Sequence, residues 1–389
     1  MKVNTRLMRS EILKEMPLSV LKCVFFVLGL DLSKKAKKTA IISKLYLIIL
    51  AVLWISYFIH TIITLYCFVS TGNSKLHTFI IQKITDINTL ILWFYILKKK
   101  DKIRATVDKL FLAVNLSECS KVMLTCICIL LGAINIVGWW ITVPKYKDEF
   151  CSQLLKNYSF LLSENTDNCK LLHLVIAMFI VVRTLETVVT ILFVILCYMS
   201  RKILLMHCSE KPKLMALSKT GFYENKLKQH FIKYWCAMKV LNSVEQEFAF
   251  PVFLLQVNDL MGIFTFLIRY GGYDPGFTVS KAGPAAFTAV RSILSFLVIS
   301  VAASSVHLAD ERVKRADEDL WYILLCRGSI MKNNQMGISV VINKKSFAFS
   351  AWGCFRFTKS YILSAVGCLL TYSLLIIQLY YSIKDEKYE

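Results

Sequence analysis

The chain lacks the short motifs that mark common enzyme classes. It has no G-x-S-x-G elbow, no H-E-x-x-H pair and no Walker loop, and its six histidines form no His-rich box for a di-iron oxidase. Enzymatic activity is therefore not expected, and neither a cofactor nor a metal is called for. Repeats at solenoid periods and low-complexity tracts are also missing, which excludes repeat arrays and long disordered linkers. Acidic residues are scarce: 26 Asp and Glu stand against 47 Lys and Arg, a net charge of +21. Such an excess would suit a nucleic-acid partner if it lay on a soluble face interleaved with aromatics. Here it falls in the gaps between apolar blocks, so no nucleic-acid partner is expected. The 13 cysteines show no ligand spacing with His, and Cys126 and Cys128 sit two apart in an apolar stretch, so packing is their expected task.

What is abundant is apolar surface. Hydrophobic residues make up 56% of the 389 positions and the mean hydropathy is +0.55, beyond the roughly 45–50% usual for soluble domains. A bilayer span needs about 20 mostly apolar residues. Blocks of that length lie at about 44–68, 76–97, 122–143, 171–199, 248–270, 285–308 and 361–383. The expectation is an all-α, polytopic membrane protein with seven transmembrane helices. The segment Pro17 to Leu30 has the length of a signal-peptide core but no A-x-A-like cleavage site, and Lys34, Lys35, Lys37 and Lys38 follow it. A retained interfacial or re-entrant helix fits it better.

Charge sets the expected direction of the bundle. Alternate gaps carry 35 and 8 of the Lys and Arg residues, and cytoplasmic loops are the basic ones. The N-terminus is thus expected in the cytoplasm and the C-terminus outside, the reverse of a G-protein-coupled receptor. Residues 1–43 form a cytoplasmic segment with the interfacial helix, 44–308 a six-helix bundle, 309–360 a cytoplasmic anchor segment, and 361–389 the last helix with a short extracellular tail. In the outer loop 144–170, Asn157 heads a glycosylation sequon and Cys151 and Cys169 could pair. Charged and apolar positions mix in 200–247 and 309–345, and Val306, Val313, Leu320 and Leu324 have the spacing of helical extensions.

Ionisable residues inside spans are costly and face a bundle interior or a wet cavity. They include Asp86, Arg183, Glu186, Asp259 and Arg291. Arg183 and Glu186, three apart, can pair on one helix face, and such pairing could simply neutralise the charges. Alternatively the outer halves of the spans form a pocket for a small organic ligand, for which Asn135, Trp140, His173, Asn258, Asp259, Thr288 and Arg291 are the candidates. Trp139 and Trp140 also look like an interfacial aromatic belt.

The last span is the most informative. Thr371 and Gln378, seven apart, share a helix face, with Leu374 and Leu375 between them and Ser382 one turn beyond. A polar stripe broken by leucines either lines a water-filled path with an apolar constriction or glues helices together. The run Thr371-Tyr372-Ser373-Leu374-Leu375-Ile376-Ile377-Gln378-Leu379 resembles the TYhhhhhQF motif in the final helix of insect gustatory receptors. The resemblance extends upstream through Phe349-Ser350-Ala351-Trp352-Gly353-Cys354-Phe355 and Ser364-Ala365-Val366-Gly367. Ser373 departs from a hydrophobic position and Leu379 from the final Phe.

That resemblance implies a homo- or heterotetrameric, non-selective cation channel opened by a small tastant, in the plasma membrane of sensory neurons and in contact with lipid and with other gustatory receptors. It implies that Gln378 sits at or beside the pore constriction, that Leu375 is the apolar gate, and that Thr371 and Tyr372 brace the helix. A bitter tastant is expected rather than a sugar, because no sugar-receptor motif is present. An insect odorant receptor channel, a G-protein-coupled receptor and a secondary transporter are the alternatives.

Overall fold

A computed structural model describes residues 23, 25–28, 30, 40–70, 76–114, nine positions between 125 and 138, 169–209, 223–268, 279–326 and 346–385. Its elements are helices α1 (Ala40–Ser70), α2 (Leu76–Ala113), α3 (Cys169–Ser209), α4 (Tyr223–Ile268) and α5 (Val279–Cys326). Two short strands follow, β1 (Ser350–Ala351) and β2 (Phe355–Arg356), and then helix α6 (Lys359–Asp385). The described positions between 125 and 138 are all helical, within the expected third span. Neither Pro nor Gly interrupts α1, α2 or α3, and in lipid a helix is the form that satisfies every backbone N–H and C=O locally. Among the described residues, four helices carry windows long and apolar enough to cross a bilayer, Lys44–Ile63, Arg183–Ser209, Gln229–Ile268 and Ala285–Asp319, and Lys359–Leu375 is a shorter apolar helix. The protein is a helical membrane protein.

The helices outrun the spans read from the sequence. α4 begins at Tyr223 rather than near 248, and α5 runs unbroken past residue 308 to Cys326. Both extensions are built like soluble helices, with Tyr234, Leu241, Val306 and Val313 buried and Lys226, Lys239 and Arg312 exposed. α3 is the central helix: among residues 183–200 only Tyr198 is exposed. It packs against α5, α4 and α2, while α1 lies outside against α2. Ile48, Val52, Ile55, Ile59 and Ile62 remain exposed along α1. Near the start of the chain, Phe25, Leu28 and Leu30 are buried, and the Leu28 carbonyl accepts a hydrogen bond from Trp93 Nε1 at 3.3 Å. Residues 25, 28 and 30 are thus packed onto the bundle, with α2 supplying the hydrogen bond.

The strands form one antiparallel pair, with Ser350 opposite Arg356 and Ala351 opposite Phe355. Trp352 and Gly353, between them, both have positive φ (50° and 76°), and Cys354 N donates to the Ala351 carbonyl at 2.9 Å. Two left-handed central residues closed by that bond make a type I′ hairpin turn. A tryptophan is unusual there, and its ring packs against Phe250 and Phe253 of α4, at 5.2 and 5.5 Å between centroids. The hairpin is tied down on both sides. Ser350 Oγ donates to Glu245 Oε1 at 2.7 Å, and Phe347 N donates to Asp310 Oδ2 at 2.7 Å. It leads directly into α6.

Candidate functional site

Two features stand out in the spans: a buried ion network and an uncovered last helix. The network gathers polar residues that the helical period places on inward faces. On α2 these are Lys83, Thr85, Asp86, Asn88 and Thr89; on α3, Arg183, Glu186 and Thr190; on α4, Asn258 and Asp259; on α5, Arg291 and Ser295. Arg183 is the hub. Its guanidinium reaches Asp86 Oδ1 at 3.1 Å, Glu186 Oε1 at 3.3 Å and Thr85 Oγ1 at 3.3 Å. Lys83 Nζ lies 3.9 Å from the other oxygen of Asp86. Arg291 Nη2 lies 2.7 Å from Glu186 Oε2.

Glu186 draws partners from all four helices. Besides the two arginines, its Oε1 accepts from the Thr89 hydroxyl and, at 3.1 Å, from Asn258 Nδ2, while Asn88 Nδ2 donates to Asn258 Oδ1 at 3.0 Å. Asp259, one residue on from Asn258 and so turned by about 100°, faces α5, where Ser295 hydrogen-bonds it and Arg291 acts on it electrostatically. Ser295 in turn meets Thr190 Oγ1 at 3.2 Å. Three cations and three carboxylates therefore share one region, and their formal charges cancel. Asp86 is 0% and Glu186 3% exposed, a depth at which an uncompensated charge would be untenable. The pairing of Arg183 with Glu186 expected from their spacing is present, as one edge of a four-helix network.

The pocket candidates divide accordingly. Asn258, Asp259 and Arg291 all belong to the network. Thr288, half-buried, lies one turn from Arg291 on the same face of α5. His173 lies on α3, with its side chain outside the described residues; Asn135, Trp140 and Asn157 lie outside them altogether. Thr85, Asn88 and Thr89 were missed by the sequence reading. The D-I-N-T run at 86–89, polar inside an apolar span, was the available signal.

Gln256 connects this region to α6. Fully buried, its Oε1 accepts from Ser300 Oγ of α5 at 3.4 Å and from Tyr361 Oη of α6 at 3.3 Å. The Tyr361 ring stacks on Phe355 of the hairpin, 4.2 Å between centroids and 8° from parallel. Below this anchor, α6 docks on α4 and α5 through Tyr361, Ala365, Leu369 and Ser373, a stripe four residues apart, with Ser373 the most buried at 4%. The hydrophilic departure at Ser373 thus points into the subunit. The opposite face carries Gly367, Leu370, Thr371, Leu374 and Gln378, all exposed. Tyr372 and Leu375 flank it and are exposed as well. Thr371 Oγ1 donates back to the Gly367 carbonyl at 2.9 Å, which satisfies its proton within the helix. For Leu379 and Ser382 the backbone is helical and the side chains lie outside the described residues. No charged residue lies between Lys359 and Lys384.

No family model matches the chain, and no curated protein matches it by sequence. Solved structures do match. The insect olfactory receptor OR5 from Machilis hrabei superposes with a TM-score of 0.69 over 93% of this chain and 97% of that one, at 11% sequence identity. The structure of the same receptor in complex with eugenol gives a TM-score of 0.67 with the same coverage and identity. The likeness spans nearly the whole of both chains, so the fold is that of an insect olfactory receptor; at this identity it is a likeness of fold.

Proposed function

We propose that this chain is a subunit of a ligand-gated cation channel of the insect chemoreceptor type, and within that type a gustatory receptor. One observation carries the reading. α6 is free of charge from Ser360 to Ile383 and docks along a single stripe, leaving Thr371, Leu374 and Gln378 uncovered on the other side. Gln facing hydrocarbon would be costly. Four copies arranged about an axis remove that cost by turning the stripe toward a shared water-filled path. Gln378 then lies at the constriction, and the Leu375 and Leu374 rings close the path by dewetting, with Thr371 and Ser382 along the same wall. The gustatory assignment rests on the Thr371, Tyr372 and Gln378 pattern.

A receptor of the same fold has been solved with eugenol, which supports a small organic ligand for this chain. Thr288 and Arg291, at the more accessible edge of the ion network, are the contacts we assign to it, with a bitter compound favoured over a sugar. Binding opens the channel to the extent that the ligand prefers the open arrangement, and Gln256 with Tyr361 carries the change to α6. The subunit lies in the plasma membrane of a sensory neuron with its N-terminus inside and its C-terminus outside.

Expression in cells followed by calcium imaging against bitter, sugar and volatile panels tests the ligand class. Single-channel recording tests the pore: Gln378→Ala changes conductance or gating, and an unchanged current from a confirmed tetramer overturns the pore assignment. Responses to volatiles alone would move the chain to the odorant-gated reading, which the fold match favours.

A further inference from the structure

Away from the ion network, α3, α4 and α5 meet again at the end of the bundle that holds the C-terminus of α3. His207 in the last turn of α3, His230 in the second turn of α4 and Asp317 near the far end of α5 converge there, all buried. The two imidazoles are stacked, 3.7 Å between centroids and 21° from parallel. His230 Nε2 lies 3.6 Å from Asp317 Oδ1. One ligand atom from each of the three residues falls within 4.8 Å of the others.

We propose that these residues bind a divalent transition-metal ion, with zinc as the best fit. The separation of 3.6 Å is too long for a good histidine–carboxylate hydrogen bond, yet it is close to the spacing of two ligands on one tetrahedral zinc, where bonds of about 2.0–2.2 Å set ligand atoms roughly 3.3–3.6 Å apart. His230 is 2% exposed and neither of its ring nitrogens makes a hydrogen bond. Burial of an imidazole in that condition is costly, and coordination gives one of those nitrogens a partner. Two neutral imidazoles and one carboxylate are a ligand set that zinc and its neighbours accept, with an open fourth position for water or the second carboxylate oxygen. The ring planes are held from outside the cluster. Phe231 packs edge-on against His230, and Tyr234 lies tilted against His207, its own hydroxyl donating to Asp310 Oδ1 at 2.8 Å. The ion would join three helices at the end where α3 stops and α4 starts, a staple on the α4 and α5 extensions. No sequence motif announces it, because each ligand comes from a different helix.

The site stands on this geometry and is independent of the channel reading, so its test uses metal content and no current. The full chain, purified in detergent through a tag without histidines, is stripped with EDTA, reloaded with Zn2+ and gel-filtered. We expect one zinc per chain by elemental analysis, and for the Co2+-loaded protein the visible absorption of a tetrahedral ion. The variants Asp317→Asn and His207→Gln/His230→Gln should each lose affinity by more than the roughly 10- to 100-fold that removal of an outer hydrogen-bonding partner of a ligand costs, while eluting as monodisperse protein. X-ray absorption of the zinc-loaded wild type requires no variant and should show a nitrogen and oxygen shell with imidazole scattering. A sulfur shell, sub-stoichiometric zinc after gel filtration, or equal zinc retention by Asp317→Asn would overturn the assignment.

Discussion

Arg291→Met tests whether the ion network is held together by charge balance. The guanidinium lies 2.7 Å from Glu186 Oε2, where an effective dielectric constant near 20 gives roughly 6 kcal/mol of attraction before desolvation is counted. Removing one member of a buried pair typically costs about 3–5 kcal/mol, because the other charge is left behind. Arg183 remains on the second oxygen of Glu186 at 3.3 Å, so the lower end applies, about 3 kcal/mol or roughly a 100-fold fall in the folded-to-unfolded ratio. The substitution leaves two cations against three carboxylates. Glu186→Gln errs the other way, three against two, and should destabilise as well. The double variant restores two against two. It should therefore be more stable than the sum of the single losses by about 1–3 kcal/mol, the coupling range for contacting residues. Thermal midpoints from fluorescence-detected gel filtration in a single detergent measure all four proteins. A double variant whose loss equals the sum of the singles would refute the charge-balance account.

Three further outcomes follow from the geometry around α6. Gly353→Ala has open space for its Cβ but a φ of +76°, so its cost is backbone strain alone, about 1–2 kcal/mol, read as a lower thermal midpoint. Asp310→Asn weakens bonds to Tyr234 Oη at 2.8 Å and Phe347 N at 2.7 Å; a loss of about 1.5–3 kcal/mol should appear, with faster hydrogen exchange at residues 346–350 than in the hairpin of the unaltered chain. Gln256→Leu removes the Tyr361 and Ser300 bonds at little change in volume. It should shift the agonist concentration response while leaving unitary conductance unchanged, and an identical response would show that the signal does not pass through Gln256.

The spanning helices α1, α3, α4 and α5 were legible because lipid imposes a length and a composition on a helix that crosses it, and the apolar blocks they contain meet both. The reach of α4 and α5 beyond the apolar blocks was legible only as a hint, since residues 200–247 and 309–345 mix charges with apolar positions and a solvated helix has no minimum length. Arg183 with Glu186 could be read from spacing on one helix. Glu186 with Arg291 could not, because pairing across helices depends on which faces meet, and that is decided by packing. Ser373 read as a mild departure from a hydrophobic motif, and only the docking stripe of Tyr361, Ala365 and Leu369 explains why a small residue suits that position: it lies against the rest of the subunit, where little room remains. His207, His230 and Asp317 were invisible for the same reason as Arg291, three residues on three helices with no periodicity between them.

The two features of the spans share one element, and that sharing constrains how a signal could travel. Asn258 and Asp259 fix α4 to the ion network, while Gln256, two residues earlier, holds Tyr361 at the head of α6. The network resists gradual deformation, because its three cations balance its three carboxylates and a partial opening would strand a charge. It can instead exchange one set of partners for another. A ligand that supplies hydrogen-bonding groups to Arg291 competes with Glu186 and Asp259 for the same guanidinium, and α4 and α5 must then re-register together. Because Gly262 lets α5 approach α4 so closely that an added Cβ would meet Ser292 Oγ at 2.5 Å, the two helices are in direct contact there and have little freedom to move separately. A displacement of α4 and α5 as a pair carries Gln256 and Ser300 with it, and the Tyr361 hydroxyl must follow or release. On this argument Gly262→Val, which forces the helices apart near Ser292, should impair ligand response more than pore conductance, and equal loss of both would place the coupling elsewhere.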